Sequence, residues 1–73
     1  MPKLPHVSGA EVVRALERLG FRKVRQSGSH VILKQEPRGC VVPMHSEVKT
    51  GTLAGVLRQA EVSPEEFTEA LRK

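Results

Sequence analysis

Two histidines among lysines and arginines are the residues of this chain best suited to chemistry. His30 follows Gly28 and Ser29 and opens the apolar run Val31-Ile32-Leu33; His45 closes the run "CVVPMH". An imidazole titrates near neutrality, with an ordinary pKa of roughly 6.5. It can therefore take or give a proton within one turnover. Cleavage of an RNA phosphodiester needs one proton removed from a 2′-OH and one delivered to the leaving oxygen. A positioned general acid or base contributes on the order of 10²–10⁴ in rate. Lys34, Arg22, Lys23 and Arg25 can hold phosphate and stabilise charge on its oxygens. The chain has no Asp and no carboxylate cluster that would cage magnesium. A nuclease built on these residues is expected to work without a metal or cofactor. The plainer reading of His30 is an ordinary surface residue on a half-exposed strand. His6, in a proline-flanked tail, is expected to be inert.

A second anion site is conceivable at "EVKTGTL". Thr50, Gly51 and Thr52 precede or open a helix, whose free N–H groups could meet phosphate with help from Lys49. The simpler reading there is capping by Thr50. Cys40 is the only cysteine. It can form no intrachain disulfide and no Cys-x-x-Cys zinc pair. In the hairpin register set out below it falls on the helix-side face, where it is expected to fill space in the core rather than react.

Composition narrows the class further. The chain has 73 residues and net charge +4, enough for one small domain spanning 1–73. A disulfide-free chain of this size fits a reducing cytoplasm. No stretch approaches the roughly 20 apolar residues of a membrane span, and "MPKLPHVSG" has no signal-peptide core. The charge is uneven. Residues 1–35, including Lys3, carry seven Lys/Arg against Glu11 and Glu17, whereas residues 36–73 carry five against six Glu. A basic half suits a polyanion, nucleic acid first, although this charge also suits an ordinary soluble surface.

The elements that must position these groups follow from pattern. After a tail over 1–7, Ser8 and Glu11 form a capping-box signature. Val12, Leu16 and Leu19 then make one apolar helical stripe, and Gly20 is a plausible C-cap, giving a helix over 8–20. Residues 21–45 hold three strands. "FRKVRQ" reads as a basic edge strand, "HVILKQ" as the second and "CVVPMH" as the third, with Pro43 confining it to an edge or an end. "SGS" turns the chain, and "EPRG" suits a type I turn with Pro second and Gly fourth. Leu53, Val56, Leu57 and Ala60 mark a helix over 50–61, in which Gly55 suggests a close backbone contact. Ser63, Pro64 and Glu66 start a short helix over 63–72. The order α-β-β-β-α-α predicts an α+β domain: a three-stranded antiparallel sheet with helices on one face and the other face open.

If Glu36 stands opposite Gly39, the facing pairs are Gln35–Cys40, Leu33–Val42 and Val31–Met44 on the helix side. The open side then pairs Lys34 with Val41, Ile32 with Pro43 and His30 with His45. Side chains alternate strictly, so a one-residue slip would flip them all.

"GSHVIL" after a basic strand, "VVPMH" one hairpin later and then "KTGTLAGVLRQA" resemble the HicA toxins, also called the YcfA-like family. The resemblance runs from about Ser8 to Phe67. It implies a double-stranded-RNA-binding-domain-like fold, endoribonuclease activity on mRNA, and a HicB-type antitoxin that covers the site. By resemblance, His30 is the catalytic histidine, Gly28 and Ser29 position it, and His45 is a supporting residue. Glu61 departs from the family's usual Gly at a capping position.

Two other functions stay open at this point. One is a double-stranded-RNA-binding module that uses Arg22, Lys23, Arg25, Lys34 and Lys49 without chemistry. The other is an interaction domain that docks a partner on an apolar open face of Ile32, Val41 and Pro43.

Overall fold

The structure, a computed structural model, describes residues 4–73. Met1 to Lys3 of the tail, including the Lys3 charge, lie outside the described residues. Six elements follow in order: α1 (Gly9–Arg18), β1 (Arg22–Ser27), β2 (His30–Gln35), β3 (Arg38–Pro43), α2 (Thr50–Ala60) and α3 (Pro64–Leu71). The strands form one antiparallel sheet in the order β1-β2-β3.

Helix ends follow local chemistry. Ser8 and Glu11 close a full capping box on α1, and Ser63 and Glu66 do the same on α3 behind Pro64. At the end of α1, Gly20 takes φ 102°, and the N–H groups of Gly20 and Phe21 donate to the Glu17 and Leu16 carbonyls. This pair of bonds is a Schellman motif with glycine in the position that favours it. Helix α2 ends in the same motif, but Glu61 occupies the left-handed position at φ 57°. At the start of α2 the expectation fails. Lys49, not Thr50, is the N-cap residue, and no side chain caps the helix. Val48 is pinned by its N–H bond to the Val7 carbonyl, and the chain turns into the helix directly after Lys49.

The core lies between the helices and one sheet face. Val31, Leu33, Cys40 and Val42 point inward to meet Val12, Ala15 and Leu16 of α1 and Leu53, Val56 and Leu57 of α2. Phe67 and Ala70 of α3 complete it, with Phe67 fully buried. The Arg18 guanidinium donates to the Ala70 carbonyl at 2.8 Å, tying α1 to the end of α3. All six residues of β1 are exposed, as befits a charged edge strand. A bulge between Lys23 and Arg25 breaks its alternation, leaving Val24 45% exposed.

The hairpin register differs from expectation by two residues. Leu33 pairs with Cys40, Val31 with Val42 and His30 with Pro43. The turn places Glu36 and Pro37 between the paired Gln35 and Arg38, with the Glu36–Pro37 peptide bond cis. Pro37 is thus third in the turn rather than second. Because the slip is even, every side chain keeps its predicted face. The architecture is α+β and double-stranded-RNA-binding-domain-like, with helices on one face and the other face open.

Candidate functional site

Strand β2 begins at His30 because the chain reverses at Gly28 and Ser29. Gly28 takes φ 58°, and Ser27 pairs with His30, the pattern of a tight hairpin with glycine in the first loop position. His30 is exposed at the strand lip. His45 lies just past the end of β3, so the two rings are not a cross-strand pair. Main-chain bonds nevertheless bring them together. The Met44 N–H donates to the Ser29 carbonyl at 2.6 Å, and the Gly9 N–H donates to the His45 carbonyl at 2.9 Å. Gly9 permits this approach: a Cβ there would collide with the Pro43 carbonyl and the Met44 backbone.

Both histidines line one open groove of about 610 Å³. Val41 and Pro43 form its strand side; Thr52, Gly55, Val56, Arg58 and Gln59 of α2 form the other. Helix α2 runs back along β3. Near its start, Thr52 shares the groove with His45, and at its end the Glu61 carbonyl meets the Arg38 guanidinium at 3.5 Å. In the last turn of α2, Gln59 Oε1 accepts the Val41 N–H from the outer edge of β3 at 3.4 Å. The helix therefore covers a sheet edge as well as the core. A second hollow of about 420 Å³ adjoins through Val41 and Gln59 and reaches Ile32 and Lys34.

The predicted phosphate-holding residues divide. Arg22 pairs with Lys34 and Arg25 with Ile32, so both stand on the face of His30 and Lys34. Arg22 also approaches Glu36 at 3.5 Å, both well exposed. Lys23 pairs with Leu33 and lies on the opposite face, away from the histidines. Lys49 is exposed at the start of α2, outside the residues that line the groove. The apolar open-face patch is smaller than expected. Ile32 is half-buried and Val41 is 40% exposed, but Pro43 is buried. Gly9 packs against the Pro43 carbonyl and α2 closes in from the side. Cys40 sits in the core, and burial pushes its thiol up to about 11. It stays a neutral thiol near pH 7 and is no nucleophile there. His6 stands 3.1 Å from Glu47, both largely exposed. Among the described residues, no group of three or more His, Cys, Asp or Glu side chains is placed to hold a metal.

Sequence reasoning missed the α2 side of the site. Thr52, Gly55, Val56 and Gln59 stand at i, i+3, i+4 and i+7, a stripe that adjoins the buried one. Gly55 was the available signal: a poor helix former in a helix interior.

Fold and groove together define a small α+β domain with a double-stranded-RNA-binding-domain-like fold and two histidines in one cleft. A family model described as the HicA toxin of bacterial toxin-antitoxin systems matches residues 9–62, most of the chain. The chain belongs to this family of toxins, and membership implies an antitoxin partner. Among curated proteins, none matches it at a significant level.

Proposed function

We propose that this toxin is an endoribonuclease that cleaves mRNA without a metal ion. The observation that carries the reading is the shared groove of His30 and His45, whose lining contains no carboxylate. The proton transfers then fall to imidazole. One ring takes the 2′-OH proton as that oxygen attacks phosphorus, and the 5′ oxygen leaves with a proton from an acid. The products are a 2′,3′-cyclic phosphate and a 5′-OH end. His30, exposed on the open face, is the principal proton carrier and His45 assists. Gly28 and Ser29 set the strand lip that presents His30. Lys34, Arg22 and Arg25 hold neighbouring phosphates on the same face. Lys23 and Lys49 add charge without touching the reacting phosphate. A HicB-type antitoxin inhibits by covering His30, and the RNA substrate places the toxin in the cytoplasm.

The test is incubation of purified toxin with a long single-stranded RNA in EDTA beside the His30→Ala variant. Cleavage by wild type alone supports the reading. Intact RNA in both lanes, with a mobility shift showing that both bind, favours the non-catalytic double-stranded-RNA-binding module. The fully exposed basic strand β1 would serve that module equally well. No RNA binding even at low salt leaves only a protein-docking role.

A further inference from the structure

We infer that the α2 side of the groove seats one unstacked base of a single-stranded RNA beside the histidines. Gly55 keeps the seat open, and Gln59 reads the base edge. The inference rests on the ribonuclease reading and names the part of the substrate this wall of the groove meets.

Gly55 lies inside α2, where glycine is among the poorest helix formers. Among the described residues, a Cβ at Gly55 would meet nothing within 4 Å beyond its chain neighbours and its own helix backbone, whereas one at Gly9 would strike the Pro43–Met44 backbone. Packing within the protein therefore explains Gly9 and does not explain Gly55. Gly55 lines the groove with His30 and His45. Gly51 of the same helix is equally open but does not line the groove, so it is the place of Gly55 beside the histidines that points to something outside the chain approaching the helix closely there.

Gln59 follows one turn later on the same stripe. Its Oε1 accepts the Val41 N–H at 3.4 Å, which turns the carboxamide oxygen toward β3. The amide NH₂ is then left to donate to another partner. Bases with acceptors on the presented edge suit it. Val41, exposed at the groove, supplies an aliphatic wall for the ring, with the largely buried Pro43 behind it. The two phenylalanines are buried, Phe21 at 3% exposure and Phe67 at 0%, so neither is a stacking platform. Shape and edge contacts must hold the base instead.

The groove, at about 610 Å³, has the size of a small-ligand site. Arg58 lines it and no carboxylate does, which suits a nucleotide. A base within an A-form stack cannot enter such a cleft, so the strand must be single and the base turned out.

The test uses the Gly55→Ala and Gln59→Glu variants of the full chain. Gly55→Ala is expected to raise the melting temperature yet weaken binding of a single-stranded RNA oligomer and slow its cleavage, each by about tenfold. A structural role would move stability and activity in the same direction. Gln59→Glu keeps the acceptor for Val41 and loses the amide donors. It is expected to redistribute cut sites, read by sequencing the fragment ends. Wild-type RNA binding and cleavage by Gly55→Ala, or an unchanged cut-site distribution for Gln59→Glu, overturns the inference while leaving the ribonuclease reading intact. Loss of antitoxin binding with unchanged RNA binding would assign the seat to the protein partner and overturn it as well. If wild type cuts no RNA, the ribonuclease reading fails by itself, and oligomer binding by Gly55→Ala still decides the seat.

Discussion

The two ends of strand β2 are built by different means. At the Gln35 end, side chains are tied to one another and to the helices. Gln35 Nε2 donates to the Leu19 carbonyl at 3.2 Å. The Arg38 guanidinium donates to Gln35 Oε1, reaches the Glu61 carbonyl, and lies over the Phe21 ring at 5.2 Å. At the His30 end the main chain does the holding, through Ser29, Met44, Gly9 and His45. One corner spends its side chains on structure. The other fixes its backbone and leaves two imidazoles facing a groove. Positioning by backbone is what lets a small domain keep a reactive side chain available.

The sharpest way to break this comparison is His30→Ala. It should cost on the order of 10²–10⁴ in RNA cleavage with no loss of thermal stability. A melting temperature that falls with activity would show His30 to be structural. Gly9→Ala strikes the same end through its backbone. It forces apart α1 and the Pro43–Met44 segment, and should destabilise the fold by about 1–3 kcal/mol. Cleavage measured well below the melting transition should fall too, because His45 moves with its carbonyl. Retained activity in a folded Gly9→Ala protein would mean that His45 need not be held. Arg38→Ala attacks the opposite end. Chemical denaturation should show a loss of about 1–2 kcal/mol, from lost hydrogen bonds and a cation–π contact. Its cleavage rate per folded molecule should match wild type.

What was legible in the sequence was whatever depends on neighbours along the chain. Both capping boxes, Pro64 at the first helical position and Gly20 after α1 are local patterns with local causes. The open face of His30 was also legible, because side-chain alternation survives an even register slip. The register itself was not, since "EPRG" lets Pro37 stand second or third in a turn. Nor was the bulge after Lys23, which sends Lys23 to one face and Arg25 to the other. The groove wall escaped because only tertiary packing lays α2 beside the edge of β3. Thr52 and Gln59 carry no mark in the sequence, and Gly55, a poor helix former inside a helix, signals an exception without saying that His30 is its neighbour. The burial of Pro43 has a similar cause: it comes from Gly9 and α2, both remote from it in sequence.

Two smaller effects sharpen the comparison from outside the site. Glu61 holds a left-handed backbone that glycine adopts without penalty. Glu61→Gly should stabilise the protein by about 1 kcal/mol, raising the melting temperature by roughly 4–8 °C for a domain of this size. Arg38 loses nothing by the change, since it binds the Glu61 carbonyl rather than the side chain. An unchanged or lower melting point would show that the side chain contributes more than the strained backbone costs.

The smallest effect concerns acid. The Glu11 carboxylate accepts the Ser8 N–H at 2.8 Å. That backbone bond, then the Ser8 side chain, then the charge of Arg14, hold its pKa below the usual carboxylate range. A carboxylate with a depressed folded pKa stabilises the fold above its unfolded pKa, ordinarily roughly 4.3. That stability is lost as pH falls through the folded value. Wild type should therefore melt slightly above Glu11→Gln at pH 7, with the gap closing below about pH 4. The amide in Glu11→Gln still caps the helix, so the difference isolates charge from hydrogen bonding. A gap that persists unchanged into acid would assign the effect to geometry alone. The cap also bears on the site, because Ser8 and Glu11 start α1 next to the Gly9 N–H that holds His45.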